Sequence, residues 1–495
     1  KVVTIYGQLY MAPVFWMTTT DMAVGDAFKF KIEYVRGTFY VEWGDGTVTK
    51  YLDSNICEHN FANAGVYRIG LSGVPTAYTH YGKSVVYDDC ASSVTSVFTI
   101  SDLYVTNPTD VTRLKLAKIE GSLGRVFPTL SNGEQPNFTA SFWGCSNLKG
   151  EIPAELFDGI HGQPDISMFA HLFRGCSSLE GKIPENLFSG ISGNYTDAVF
   201  DRVFADCSGL SGKIPDNLFG KIGGEPKKCM FLGTFRNASG IEGSIPSRLF
   251  GELNGAPQLF MFSQTFYGCN NLGKNIPDED KPEYMKQGYA IPPNLFSGIN
   301  GAPATYMYYG TFGFCGGLKG RIPDNLFGIF DGEPAEAIFP NTFTDCVGLE
   351  GTIPENLFAG IKGPIQYANF YQTFAGCSGL TGEIPENLFA GITGTAKWGF
   401  METFKGASKL GLKEDGSSSP IPSGLFSGIS GDANSTNQMF NGTFANTGYL
   451  TSYVPVDLFK NVNGFLSDNQ TGTRTSTYVA GGMTSIFDNS AISTV

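Results

Sequence analysis

The sequence is poor in the residues that carry most chemistry. It has 4 histidines in 495 residues, His59, His80, His161 and His171. His161 and His171 lie ten residues apart with no evident Ser or Cys nucleophile and no third orienting group, so both are expected at the surface and nothing supports nucleophilic catalysis. The 10 cysteines include no Cys-x-x-Cys pair, which argues against a zinc knuckle. Charged residues make up 16%, below the usual share of about 25%. The net charge is −13 with no clustered basic patch, which argues against binding nucleic acid by phosphate neutralisation or docking on anionic lipid. No stretch approaches the roughly 18 consecutive apolar residues of a membrane helix. No catalytic residue, cofactor or metal ligand is assigned.

Glycine and phenylalanine are abundant, 64 and 41 residues. With so little charge, that argues against a disordered chain. The phenylalanines are periodic. Phe142, Phe173, Phe204, Phe235 and Phe266 are each 31 residues apart, and Phe312, Phe343, Phe374 and Phe404 follow at steps of 31, 31 and 30. The step from Phe266 to Phe312 is 46, one period plus an insertion at 274–290. Phe444 and Phe487 follow after longer steps. Within a unit the apolar columns are those of Phe370, Phe374, Cys377, Leu380, Ile384, Leu388, Phe389 and Ile392. One unit is too small to bury these, whereas stacked copies turn each column into a buried row. Phe173, Phe204, Phe235, Phe266, Phe312, Phe343 and Phe374, with Cys176, Cys207, Cys346 and Cys377, are the expected core rows. The expected fold is a repeat solenoid of about ten 31-residue coils, built of short strands plus short helices and preceded by a β-sandwich. The strands are expected at Leu-x-Gly-x-Ile-Pro stretches and just before Phe374. The helix is expected after Pro385, where Pro suits the first helical position and Glu386 suits the dipole.

The run Phe374-x-x-Cys377-x-x-Leu380 followed by Ile384-Pro385 resembles the BspA-like leucine-rich repeats of bacterial surface proteins, although that family's unit is shorter, about two dozen residues. Near the N-terminus, Trp43-Gly44-Asp45-Gly46-Thr47 and the later run from His59 to Leu71 resemble a PKD-type, immunoglobulin-like domain. Asp45 is read as fixing that turn through backbone amides, with metal binding as the alternative. The expected layout is a strand-like segment at 1–19, the sandwich at 20–105, a linker and cap at 106–136 with a cap strand at Val111–Gly121, and the repeats at 137–495. The first segment, including Tyr6 to Trp16, is expected to add a strand to the sandwich or to a neighbouring molecule.

Cys145, Cys176, Cys207, Cys269, Cys315, Cys346 and Cys377 share one column and are read as buried thiols, because parallel side chains in a row do not suit a disulfide. Cys57 and Cys90 are candidates to pair, and Cys229 has no evident partner. The acids Glu185, Asp216, Asp324, Glu355 and Glu386 each follow Pro and are read as helix-start residues, with a glycosidase-like pair as the alternative. The Asn after each is read as a structural ladder. The informative positions are those that do not repeat: Tyr195, Tyr306, Tyr309, Tyr367 and Trp398 lie where variation costs the core nothing and are a candidate contact surface, with packing filler as the alternative. The insertion reads as a solvated or projecting loop.

The resemblance implies an extracellular or cell-surface, non-enzymatic adhesion or recognition protein that binds a protein or a glycan. The absence of an initiator Met is expected to reflect a signal already removed. One alternative is a structural subunit or decoration of an extracellular assembly such as a filament, cell-surface layer or phage particle, pairing with copies of itself through the N-terminal segment and the incomplete repeat at Met483–Ile492. A carbohydrate-active enzyme is the third reading.

Overall fold

A computed structural model describes residues 2–5, 8–79, 84–87, 90–93, 96–100, 112–432, 438–450, 455 and 457–463. Tyr6, His80, Val111 and the Met483–Ile492 segment with Phe487 lie outside these residues. The chain forms two compact units, Lys1–Gly224 with Lys228–Ile241, and Glu225–Lys227 with Glu242–Val495.

The first unit begins with β-structure. In chain order the strands are β1 (Val2–Ile5), β2 (Gln8–Met11), β3 (Phe15–Thr19), β4 (Ala27–Ile32), β5 (Val35–Glu42), β6 (Val48–Leu52), β7 (Asn55–Asn60), β8 (Arg68–Tyr78), β9 (Ser84–Tyr87), β10 (Cys90–Ser93) and β11 (Phe98–Thr99). A one-turn helix, α1 (Thr112–Lys115), then leads into β12 (Leu116–Gly121). A five-stranded antiparallel sheet has the order β12-β3-β8-β5-β6, and a three-stranded one the order β11-β4-β7. Alternation sets their faces: Phe28, Phe30 and Ile32 of β4 are buried, and so are Phe15 and Met17 of β3. The sheets meet through Phe98, whose ring lies 5.7 Å from Phe15 and 5.4 Å from Phe30.

Phe15–Thr19 is therefore an inner strand of this sheet, between β12 and β8. Of the cap strand expected at Val111–Gly121, the described part holds α1 and β12, which pairs with β3 in the five-stranded sheet and also meets the first repeat: Lys149 N–H donates to Ala117 O and the Asn147 side-chain amide to Leu114 O, both at 2.8 Å. The chain around β11 meets that repeat as well: Val97 N–H donates to Asn137 O and Ile100 N–H to Ser141 O. Phe98 and Phe142 pack at 5.8 Å.

The expected leucine-rich-repeat-like solenoid of short strands plus short helices is overturned. The structure is 22% strand and 3% helix, with several antiparallel sheets. Beyond β12, the described helices are a 3-10 turn at Asp278–Asp280 and α2 (Glu283–Lys286), both in the insertion. After Pro385 the chain makes i to i−3 turns instead: the N–H groups of Leu388, Ala390 and Ile392 donate to the carbonyls of Pro385, Asn387 and Phe389. Only five residues separate Pro385 from Gly391, which has φ 95°. A helical nucleus that short does not recover its entropy cost. The Leu380–Pro385 stretch is not a strand, because Gly382 adopts φ 72° and Pro385 has no N–H to donate.

The segment before Phe374 is not a strand either. Ala368, Gln372 and Gly376 have φ of 53°, 53° and 71°, so every fourth residue is left-handed. The N–H groups of Ala368, Phe370, Gln372, Phe374 and Gly376 donate to carbonyls of the following repeat (Lys397, Gly399, Met401, Thr403 and Lys405) at 2.7–3.0 Å. Those of Tyr371, Thr373, Ala375 and Cys377 close turns onto the residue three earlier. The run is a chain of turns in which alternate amides close turns or bond across to the next repeat. The same spacing recurs at Ser167, His171 and Gly175 in the first unit and at Tyr306, Gly310 and Phe314 in the second.

The Phe rows are fully buried. In the second unit Phe266, Phe312, Phe343, Phe374, Phe404 and Phe444 stack at 5.6, 5.7, 5.6, 5.8 and 5.6 Å, with planes within 10°. In the first, Phe142, Phe173, Phe204 and Phe235 stack at 5.3, 6.1 and 5.8 Å.

Candidate functional site

Columns that face inward are fixed by packing and polar satisfaction. The thiols of Cys176, Cys207, Cys346 and Cys377 donate to the carbonyls of Phe142, Phe173, Phe312 and Phe343 at 2.9–3.0 Å. Burial pushes the Cys346 thiol up to about 12. These sulfurs are protonated donors that hold one repeat to the next, not reactive thiolates. The buried Thr column does the same: Thr342, Thr373 and Thr403 hydroxyls donate to Tyr308, Phe339 and Phe370 carbonyls.

The expected pairing of Cys57 with Cys90 is corrected. Cys90 of β10 is bonded to Cys229, 139 residues away, and Cys57 is a buried free thiol. Sequence spacing carries no sign of a bond that joins a strand to a repeat. Asp45 does fix its turn: its Oδ1 accepts from the Thr47 N–H and hydroxyl at 2.9 and 2.6 Å, and its Oδ2 lies 2.7 Å from His59 Nε2. Burial raises the Asp45 pKa, but the Thr47 and His59 contacts outweigh it, and the net shift is downward.

His171 is not at the surface. It is completely buried beside Asp201, Nε2 to Oδ2 3.6 Å, and Arg202 lies 3.2 Å from the same carboxylate. Trp143 stacks on the imidazole at 5.6 Å. Burial, with the guanidiniums of Arg202 and Arg174, holds the His171 pKa well below the usual histidine range. The ring is a neutral packing element of the first repeats. His161 is exposed.

Glu185, Asp216, Asp324, Glu355 and Glu386 are exposed, one per repeat. Since no helix follows them, their role as helix-start residues is also corrected. Glu386 instead accepts from Gly424 N–H, and Asn387 donates to Glu355 at 3.2 Å. Among the described residues no group of three or more His, Cys, Asp or Glu could hold a metal, and no helix is long and apolar enough to cross a membrane. The insertion is pinned rather than loose: Tyr284 of α2 is buried, and its hydroxyl donates to Ile245 O at 3.0 Å.

The candidate surface divides. Tyr195 is buried against Phe231, ring centroids 5.4 Å apart, and belongs to the core of the first unit. The other four are half-buried on the second unit. Tyr306 stacks on Phe260 at 4.7 Å and meets Tyr309 edge-on. Tyr367 and Tyr371 flank Trp398 at 5.4 and 5.8 Å. Tyr371, missed in the sequence, belongs to the Trp398 group: burial raises its pKa, and Glu402, Tyr309 and Tyr367 add to the shift. Polar groups lie among the rings. Trp398 Nε1 donates to Gln438 at 3.2 Å, Gln372 donates to Glu402, and Lys405 lies 2.6 Å from Glu402. Tyr306 and Trp398 occupy left-handed positions. No family model, curated protein or solved structure matches the chain.

Proposed function

We propose that this is an extracellular, non-enzymatic recognition protein whose repeats present a rigid contact face to a protein or glycan ligand on a cell surface. The observation that carries the reading is the strip of Tyr306, Tyr309, Tyr367, Tyr371 and Trp398. Half-exposed aromatic side chains offer large contact area at low entropic cost, which is why binding faces favour them. Here the lattice beneath is locked by inter-repeat hydrogen bonds, so little ordering remains to be paid on binding. The Cys90–Cys229 bond supports an oxidising compartment outside the cytosol.

The test is binding of the purified chain to glycan and extracellular-protein arrays, with its mass followed by light scattering across concentration. A monomer of about the sequence mass, 53.3 kDa, that binds a ligand is the expected result. Growth into ordered oligomers with no ligand bound would overturn it in favour of an assembly subunit.

A further inference from the structure

We infer that the start of the repeat stack is an acid-sensitive joint: a proton taken up by His171 drives Arg174 and Trp143 off the imidazole and opens the first repeats, while the phenylalanine rows of the second unit stay closed. This does not depend on the recognition reading. The first argument is the setting. His171 and Asp201 are completely buried and Arg202 is 5% exposed, in a stack whose other inward columns are aromatic, aliphatic or small. Among the described residues, the charged groups around the imidazole come from three elements. Arg174 lies on its own turn run, Asp201 and Arg202 on the next repeat, and Arg113 of α1 beyond Trp143 of the preceding one.

The second argument is the direction of one hydrogen bond. Arg174 Nη1 lies 3.4 Å from His171 Nδ1. A guanidinium has only donors, so Nδ1 accepts and the neutral ring carries its hydrogen on Nε2. Nε2 faces Asp201 Oδ2 at 3.6 Å, too long for a hydrogen bond. The proton that charges this ring must therefore land on Nδ1, the atom at which Arg174 is aimed. It turns a donor–acceptor contact into two cationic donors facing each other. Asp201 does not offset the new charge, because Arg202 Nη1 already lies 3.2 and 3.3 Å from its two oxygens.

The third argument is the way out. Asp201 and Arg202 lie inside, whereas Arg174 and Trp143 are half-buried. Trp143 stacks on His171 at 5.6 Å, and the Arg174 and Arg113 guanidiniums lie 5.3 and 5.9 Å from the centre of its indole. Opening this outer layer lets water solvate the charged ring. The closed ring stays neutral well below the usual histidine range, while an opened one takes up its proton near pH 6.5, so a falling pH favours the open form. In the second unit the same column holds Gln264, Gly310, Asn341, Gln372 and Glu402, none of which becomes a cation in acid.

The test follows amide hydrogen exchange of the full chain by mass spectrometry from about pH 7.5 to about pH 4.5, corrected for the pH dependence of intrinsic exchange. Peptides from 138–176 are expected to lose protection as the pH falls below about 6.5, while peptides from 339–377 keep theirs. The fluorescence that the parent has and Trp143→Phe lacks is expected to change over the same range. His171→Gln keeps an acceptor for Arg174 and cannot be charged, so it is expected to abolish both responses. Arg174→Met removes the opposing cation and is expected to shrink them; it decides the matter if His171→Gln does not fold. Protection of 138–176 unchanged down to about pH 4.5, a response of full size in either variant, or loss of protection in 339–377 at the same midpoint overturns the inference.

Discussion

A single methyl group tests the turn architecture of the repeats. Gly406 has φ 73°, and a Cβ built there would meet nothing nearer than the Gly376 backbone at 3.6 Å, an ordinary contact. Gly406→Ala therefore reports the left-handed backbone and little else. The left-handed conformation costs an L-residue about 1–2 kcal/mol. Restricting the unfolded chain returns about 0.4–1 kcal/mol. The expected net loss is about 0–1.6 kcal/mol. Gly360, φ 88°, is the contrast, because its Cβ would lie within bonding-type distance of the Phe330 carbonyl oxygen, a backbone atom with no room to yield. Gly360→Ala should cost more than about 3 kcal/mol, at the overpacking extreme. Asn446→Gly, at φ 59° on the exposed side, should be neutral or stabilising. Urea unfolding followed by tryptophan fluorescence, compared at constant slope, gives all three. A Gly406→Ala variant more stable than the parent by about 0.4–1 kcal/mol, the whole unfolded-chain return with no backbone cost, would refute the left-handed assignment. A loss there equal to that of Gly360→Ala would show that crowding, not backbone conformation, sets the glycine pattern.

Phe374 is fully buried between Phe343 and Phe404, and Phe374→Ala should cost about 3–5 kcal/mol in the same assay. Cys229→Ser should cost about 2–5 kcal/mol by opening the long loop closed with Cys90; non-reducing peptide mapping should recover the Cys90–Cys229 pair, and thiol titration of the native chain should find the other eight cysteines unreactive until it unfolds. His171 is neutral when folded, while the unfolded chain takes up a proton near pH 6.5, so stability is retained above that pH and falls below it by up to about 1.4 kcal/mol per pH unit. His171→Gln should remove that part of the slope, and an unchanged slope would contradict the neutral buried ring.

What was legible in the sequence was the period and its inward columns, because burial repeats Phe in the Phe374 column and a small residue, chiefly Cys with alanine at Ala238 and Ala407, in the Cys377 column. Local conformation was not legible. The left-handed positions are filled by Gly376 in one column but by Gln372, Glu402, Trp398 and Tyr306 in others. Those residues give no composition signal for positive φ. What holds Gln372, Glu402 and Tyr306 there is the cross-repeat hydrogen bond made by each of their amides, a tertiary effect that outweighs local preference. Hence a run with the spacing of a strand folds as consecutive turns, and a run opened by Pro and Glu never becomes a helix. His171 and Tyr195 were misplaced for a related reason. They occupy columns filled by other residue types in neighbouring repeats, so nothing in their period marks them as buried. Tyr306, Tyr309, Tyr367 and Trp398 were found because they break the period on the side where breaking it is tolerated; Tyr371 lies in the same column as Tyr309 and Pro340, and only its neighbours in space bring it into the strip.

The cross-repeat bonding has a consequence for how such a chain changes over generations. Within a unit, a turn run offers its alternate amides to the next copy and its carbonyls to the previous one, so a duplicated unit arrives with both sets of partners. Unequal recombination that copies or drops one unit leaves the pattern of satisfied groups intact, whereas a shift of a few residues would strand a row of amides. Repeat number is thus the parameter most open to drift, and the length of the face it carries can be altered without inventing a new side chain.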